Sequence, residues 1–439
     1  MVEALPLLMF VALGILIMIG YPVAFTLGGL ALFFGLIGFG FDFFTLLPMR
    51  IWGRMSSFTL VAVPLFIFMG VCLDRSGLAE DLLETMALLF GRIRGGMAVS
   101  VVVVGALLAA STGIMGATVV TMGVISLPLM LKKRYSHGLA TGTICAASTL
   151  GQIIPPSIAL VILGDIMGVS VGMLFMGALI PGLILVGLYI IFILIYAYFN
   201  PKAAPGLSKS EIDFYSPKQL TKKVFKSLLP PAGLILTVLG SIFFGIASPT
   251  EAAAVGAMGA MVLTIVRRRM TLDVLRDIMR TTTGFTSMAF MILLGATAFG
   301  LVFRGLGGDA ALKEMLTQVG GGTWGVIALV MAILFVLGCF LDFIEITFIV
   351  IPILAPVIQH LGIDPLWFCV LVCLNFQTSF LTPPFGFALF YLKGVCPKEV
   401  TTGEIYRGIV PFVSIQVIGL IIVMAFPELV TWLPSAIFK

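Results

Sequence analysis

The chain has 439 residues, 60% of them hydrophobic and only 10% charged, with a net charge of +5 and a mean hydropathy of +1.20. A soluble domain carries about 25% charged residues, so this chain has too few to cover a water-facing surface. The charge-free runs Leu5–Gly40, Gly95–Leu131, Val171–Asn200 and Ile409–Phe426 can each cross a ~30 Å hydrocarbon core as one helix or two. They predict an all-α polytopic membrane protein and not a β-barrel, whose strands would alternate over about 10 residues.

The first segment, "MVEALPLLMF", has no basic start and no small-residue cleavage site, so it reads as a retained helix and not a signal peptide. One helix is expected before Tyr21, one over Pro22–Phe44, one over Phe58–Leu73, then an amphipathic arm, Gly77–Phe90. The apolar stretch that follows starts beside Arg92 and Arg94 and ends at Lys132-Lys133-Arg134. Both ends belong in the cytoplasm by the positive-inside rule, so the stretch must make an even number of passes. Its middle, "AASTGIMGAT" (Ala109–Thr118), is small and polar. A re-entrant hairpin over about 95–131, turning at Ser111–Gly116, is the economical solution; a fully spanning pair is the alternative. A broken helix over 137–168 follows, and Val171–Asn200 returns to the cytoplasm. Residues 1–199 thus form a unit of five crossings plus a hairpin. A basic cytoplasmic linker, 200–227, separates it from residues 228–439.

The second unit repeats the first. Pro155-Pro156 and Pro383-Pro384 are 228 residues apart, as are Gly77-Leu78 and Gly305-Leu306. Pro22 and Pro249 are 227 apart, Pro128 and Pro352 224, and His137 and His360 223. Five crossings is an odd number, so the second copy must be inverted. Its hairpin, about 323–360 with a tip at Gly338–Thr347, and its broken helix, about 364–397, then open from the opposite side. Arg50 and Arg54 would fall outside, against the charge rule.

Inverted repeats with interrupted helices are the design of secondary transporters. Proline lacks an amide donor and disfavours helix in the residue before it, so "GQIIPPS" and the second proline pair should each unwind about one turn at mid-membrane depth. The freed carbonyls must face protein, water or an ion, and with Ser and Thr hydroxyls they make hard oxygen ligands suited to Na⁺. Two pseudo-symmetric cation sites are therefore expected. One joins Ser111, Thr112 and Gly113 to Ser148, Thr149 and Gly151; the other joins the tip with Asp342 to Thr378, Ser379 and Thr382. The half-helices that restart at Ser157 or Phe385, after Pro156 and Pro384, offer free amides and a positive dipole end to an organic anion. A plain proline kink is the competing reading. Asp342 and Glu345 are the only acids in their apolar run, and intramembrane acids are functional by default; an interfacial position is the alternative. Arg304 could pair with a substrate carboxylate or serve as an interfacial anchor like Arg75.

Six cysteines without a CxxC read as small hydrophobes, and the two histidines as residues at helix ends. No metal beyond Na⁺ and no cofactor is expected. No nucleophile–base constellation suggests an enzyme, no Walker A pattern couples the chain to ATP, and the basic clusters set orientation rather than bind nucleic acid. The stretches "YPVAFTLG", "VPLFIFMGVCLDRSGLAEDLLE", "GQIIPPSIALVILGDIMGVSVGMLFMGALIPG" and "SPTEAAAVGA" resemble the large membrane subunit (DctM type) of TRAP transporters over nearly the whole length. That resemblance implies a Na⁺-driven importer of organic acids in a bacterial inner membrane, working by an elevator motion. It also implies two partners, a small four-helix membrane subunit and a periplasmic substrate-binding protein, and it marks Ser157 and Asp342 as important. Many members carry an aspartate at the first hairpin tip where this chain has Thr121, in "MGATVVT". A stand-alone Na⁺/carboxylate symporter without a binding protein is the alternative, and a channel or scaffold fits less well.

Overall fold

The computed structural model describes residues 5–112, 115–206, 217–317, 320–383 and 385–437. Among these every regular element is helical. The first half runs α1 (Leu5–Ile19), α2 (Val23–Phe39), α3 (Leu46–Met55), α4 (Ala62–Arg75), α5 (Leu78–Phe90), α6 (Gly96–Thr112), α7 (Met115–Lys132), α8 (His137–Thr149), α9 (Ile158–Met167) and α10 (Val171–Phe199). The second runs α11 (Pro217–Phe243), α12 (Pro249–Val266), α13 (Leu272–Gly305), α14 (Gly308–Thr317), α15 (Gly322–Gly338), α16 (Phe343–Ile349), α17 (Ile351–His360), α18 (Pro365–Leu381), α19 (Phe387–Val395), α20 (Thr402–Ala425) and α21 (Glu428–Ile437). Among the described residues, 6 helices are long and apolar enough to span a membrane, or up to 8 spans if each bent pair counts as one.

Local chemistry sets the ends. Ser248 and Thr401 open α12 and α20 with reciprocal capping boxes to Glu251 and Glu404, satisfying two otherwise orphaned amides each. The proline pairs interrupt α8/α9 and α18/α19 where expected. Pro352 follows an unexpected second break, where α16 and α17 meet at 55°; Pro128, its counterpart, stays inside α7.

The helices sort into two bodies. In one, α4 packs on α12 and α2 on α13. These close approaches use small residues: Gly256 faces the Met69 sulfur, and Gly295 lies against the Ala24 carbonyl. In the other body, the hairpin α6–α7 wraps α8, the hairpin α15 to α17 lies on α18 and α9, and α10 and α20 close the sides. The contacts are exchanged between the halves. The second arm α7 packs on α19, while α16 and α17 pack on α9; α20 packs on α8, while α10 packs on α18. A duplication whose halves are related by a two-fold axis makes this pattern. The backbones of Gly138 and Gly408 touch where α8 crosses α20, an approach only small residues permit. Arm α5 is held to the first body by ion pairs of Asp81 with Arg267 and of Glu84 with Lys223 (2.6 Å).

Three expectations need correction. The segment after α2 does not extend helix to Phe44; it becomes a 3₁₀ turn and the short helix α3, which has no buried residue. With Trp52 exposed and two arginines along it, α3 has the composition of an interfacial helix. This resolves the misplaced Arg50 and Arg54: they belong to a surface helix, where they need not report loop orientation. The basic linker is also shorter than 200–227, because α11 begins at Pro217 and carries Lys218, Lys222, Lys223 and Lys226 on its first turns. The second half-helix of the later break starts at Phe387, with Gly386 (φ 40°) before it, and not at Phe385.

Candidate functional site

Break one consists of a 3₁₀ turn, Leu150–Gln152, followed by Ile153 to Ser157. Every residue from Leu139 to Val161 is buried. The Ser157 hydroxyl donates back to the Gln152 carbonyl at 2.9 Å, pinning the loop before α9. Ser148 donates to the Ile144 carbonyl (2.8 Å) and Thr149 to the Ala146 carbonyl (2.9 Å). In break two, Thr378 donates to Leu374 (3.0 Å), Ser379 to Phe376 (2.9 Å) and Thr382 to Thr378 (2.7 Å). A hydroxyl has one proton and two lone pairs. In all five residues the proton is spent within the parent helix, which turns oxygen lone pairs outward as acceptors.

Each break is met by a hairpin tip. A methyl group on Gly151 would lie 2.8 Å from the Ala109 carbonyl on α6. In the second half the same contact is made with the small residue exchanged: a methyl on Gly338 would collide with the Ser379 hydroxyl and lie 2.8 Å from its Cβ. Gly151 and Ser379 are 228 residues apart, the spacing of the proline pairs. The Asn375 amide adds a 2.8 Å bond to the Met331 carbonyl of α15, and the Phe340 ring at the tip packs on Phe385 with centroids 4.8 Å apart and planes tilted by 49°. Asp342 is the N-cap residue of α16, and its backbone amide donates to Glu345 at 3.1 Å. Both acids are half-buried at the tip, which places them away from the hairpin base.

Ser148, Thr149, Gly151, Pro156 and Ser157 thus meet in one buried break, and Asp342, Thr378, Ser379 and Thr382 around the other. Gly113, Pro384 and the side chains of Ser111 and Thr112 lie outside the described residues. Arg304 joins neither group. It ends α13, donates to the Pro352 carbonyl at 3.4 Å, and lines a cavity of about 730 Å³ whose lining includes no residue of either break.

The strongest polar signals are ones that sequence reasoning misses. Among the described residues, both amide ends of Gln152 and of Gln377 are buried without a hydrogen-bond partner, as is the Thr347 hydroxyl at the second tip. The turn carrying Gln152 packs on α18, which carries Gln377. Leaving a buried polar group unpaired costs about 1–3 kcal/mol, so these groups stand out at both breaks. The glutamines stand in plain view in "GQIIPP" and "NFQTSF", beside the hydroxyls that draw attention as hard ligands. Gln416 also donates to Thr149 at 3.3 Å from α20. Thr121 of α7 donates at 2.9 Å to Asp74 of α4, so a neighbouring helix supplies a carboxylate beside this position. Among the described residues no group of three or more His, Cys, Asp or Glu side chains could hold a metal.

Comparison with known proteins agrees with this architecture. The chain covers 89% of a solved structure, the Alcanivorax borkumensis YdaH transporter, over 89% of its own length, with a TM-score of 0.61 at 15% identity; that likeness speaks to fold. It is 31% identical over 390 residues to the C4-dicarboxylate TRAP transporter large permease protein DctM of Pseudomonas aeruginosa, covering 89% of both chains. It is 29% identical over 423 residues to the sialic acid TRAP transporter large permease protein SiaM of Vibrio cholerae, covering 96% of both. The family model for the DctM component of tripartite ATP-independent periplasmic transporters matches residues 10–429, and the chain belongs to that family.

Proposed function

We propose that this chain is the transporting subunit of a Na⁺-coupled importer that carries a small organic anion across a bacterial inner membrane. A periplasmic binding protein delivers the anion, and a small four-helix membrane subunit completes the complex. The observation that carries the reading is the pair of breaks, each closed by a hairpin tip and each lined by buried or half-buried hydroxyl oxygens with no proton left to give. A small hard cation fits such a set, and Oε1 of Gln152 and Gln377 adds neutral oxygen. Two relatives are named for acidic substrates, a C4-dicarboxylate and sialic acid; half-helix N-termini after the proline pairs suit a carboxylate.

The hairpins are re-entrant in this reading. Helix α8 has 13 residues and rises roughly 20 Å, short of a ~30 Å core. The first tip reaches that depth, where Ala109 touches Gly151. The two bodies then slide as an elevator, the hairpin-bearing body carrying cation and anion past the other.

The test is uptake into sealed proteoliposomes holding this chain and its membrane partner. An inward Na⁺ gradient is imposed, labelled organic acids are varied, and the binding protein is supplied or withheld. Uptake that needs both Na⁺ and the binding protein is expected. Uptake with Na⁺ alone would make the chain a stand-alone symporter, and uptake indifferent to Na⁺ would remove the coupling role of the breaks.

A further inference from the structure

The cavity of about 730 Å³ that holds Arg304 lies on the seam between the two bodies. From one side it is walled by α2, α3 and α13, and from the other by Ile166 of α9 and by Phe348, Ile349 and Pro352 of the second hairpin. Three guanidinium groups face it, from Arg50, Arg54 and Arg304. The counter-charge is thin. Asp165 lies 3.7 Å from Arg54 and also accepts from Ser57 at 2.6 Å. Among the described residues Arg304 has only a long bond to a carbonyl, and Arg50 has no acid partner. Arg50 and Arg54 are one helical turn apart on α3, so they present to the same side.

The rest of the wall is apolar. Thr297 is the one uncharged polar side chain among the lining residues. A heavily hydroxylated ligand would therefore lose its hydration without gaining partners, at a cost of a few kcal/mol for each buried hydroxyl. Guanidinium forks bind carboxylate, sulfonate or phosphate oxygens two at a time. The volume suits a ligand of about drug size.

We propose that this cavity is an anion-binding site, separate from the two breaks, for a ligand with one or two acidic groups on a mostly apolar body. The ligand touches both bodies at once, so its residence is tied to their relative position. A free organic acid and an anionic phospholipid headgroup with its acyl chain share this chemistry. The proposal rests on the cavity and not on Na⁺ coupling, and its test does not use uptake.

Met49 lines the cavity and is 76% exposed, which makes Met49→Cys a reporter; Phe58, 86% exposed and absent from the lining, gives the control Phe58→Cys. The purified full chain is placed in phosphatidylcholine nanodiscs, with the unsubstituted chain as the blank for its own cysteines. Rates are measured with an anionic (sulfonate) and a cationic (trimethylammonium) thiosulfonate reagent. A field from three arginines should favour the anionic reagent by roughly 10-fold or more over the ratio at the control. Arg50→Gln and Arg304→Gln, both at exposed positions, should each erode that preference. 4-Phenylbutyrate should slow labelling by a neutral thiosulfonate and gluconate should not. Slowing by phosphatidylglycerol in the discs but not by phenylbutyrate would assign the site to lipid. Equal rates for the two reagents, protection by neither anion source, or equal protection by gluconate would overturn the proposal.

Discussion

Gly338→Ala is the sharpest perturbation the structure offers. The added methyl would collide with the Ser379 hydroxyl and stand 2.8 Å from the Ser379 Cβ. Rotating the hydroxyl away would break its 2.9 Å bond to Phe376 and would leave the Cβ contact in place. The second tip and break two must therefore separate by several tenths of an ångström or more. Overpacking of this kind costs about 1–3 kcal/mol, and here it falls on the seam proposed to bind the cation. The first half shows the remedy, since it has alanine at 109 and glycine at 151. Gly338→Ala with Ser379→Gly rebuilds that arrangement. The single alanine variant should lose thermal stability in detergent, and the double variant should recover most of it, giving a coupling energy of about 1–3 kcal/mol. The recovered protein still lacks the Ser379 oxygen, so its half-saturating Na⁺ concentration should stay above that of the unsubstituted chain. Additive effects of the two changes on stability would refute the packing argument, and normal Na⁺ dependence in the double variant would refute the ligand role of Ser379.

Asp342→Asn keeps a good N-cap for α16, because asparagine caps as well as aspartate, while removing the charge. It should insert normally yet import slowly, and import at the ordinary rate would reduce Asp342 to a capping residue. Thr149→Ala and Thr382→Ala should each raise the Na⁺ concentration for half-maximal uptake; unchanged Na⁺ dependence in both would remove the paired cation sites. Ser57 and Asp165 touch across the seam at 2.6 Å. A Ser57→Cys, Asp165→Cys variant bridged by Cd²⁺ should stop transport until a chelator is added. Full transport with the bridge in place would contradict sliding bodies.

Much of the architecture is legible in the sequence because proline and charge act locally. The proline pairs at 155 and 383 remove amide donors and mark the interruptions, although a third pair, Pro230-Pro231, stays inside the continuous helix α11, so proline favours a break without dictating it. The first hairpin is expected from basic clusters at both ends of one apolar run, and the second from its place in the repeat. Helix α3 is not separated from α2 in the sequence because no polar run divides them; its two arginines and its lack of buried residues set it apart in the structure. The bend between α16 and α17 is equally hidden, because Pro128 in the matching arm sits inside an unbroken helix. At the site, the hydroxyls do belong to the breaks. The glutamines give no signal of their own, because an amide in a helix usually finds a partner, and only three-dimensional packing shows that Gln152 and Gln377 do not. The sequence leaves Arg304 between a substrate partner and an interfacial anchor like Arg75. Its grouping with Arg50 and Arg54 depends on the path of α3, which periodicity does not supply.

The inverted relation of the two hairpins is the central claim, and sided labelling tests it most directly. Single cysteines replace Ile93 and Lys132 at the ends of the first hairpin, and Gly320 and His360 at the ends of the second; all four positions are exposed. In intact cells and inverted vesicles, an impermeant maleimide should reach 93 and 132 only from the cytoplasmic face, and 320 and 360 only from the periplasmic face. Labelling of all four from one face would contradict the inverted architecture and, with it, the paired sites.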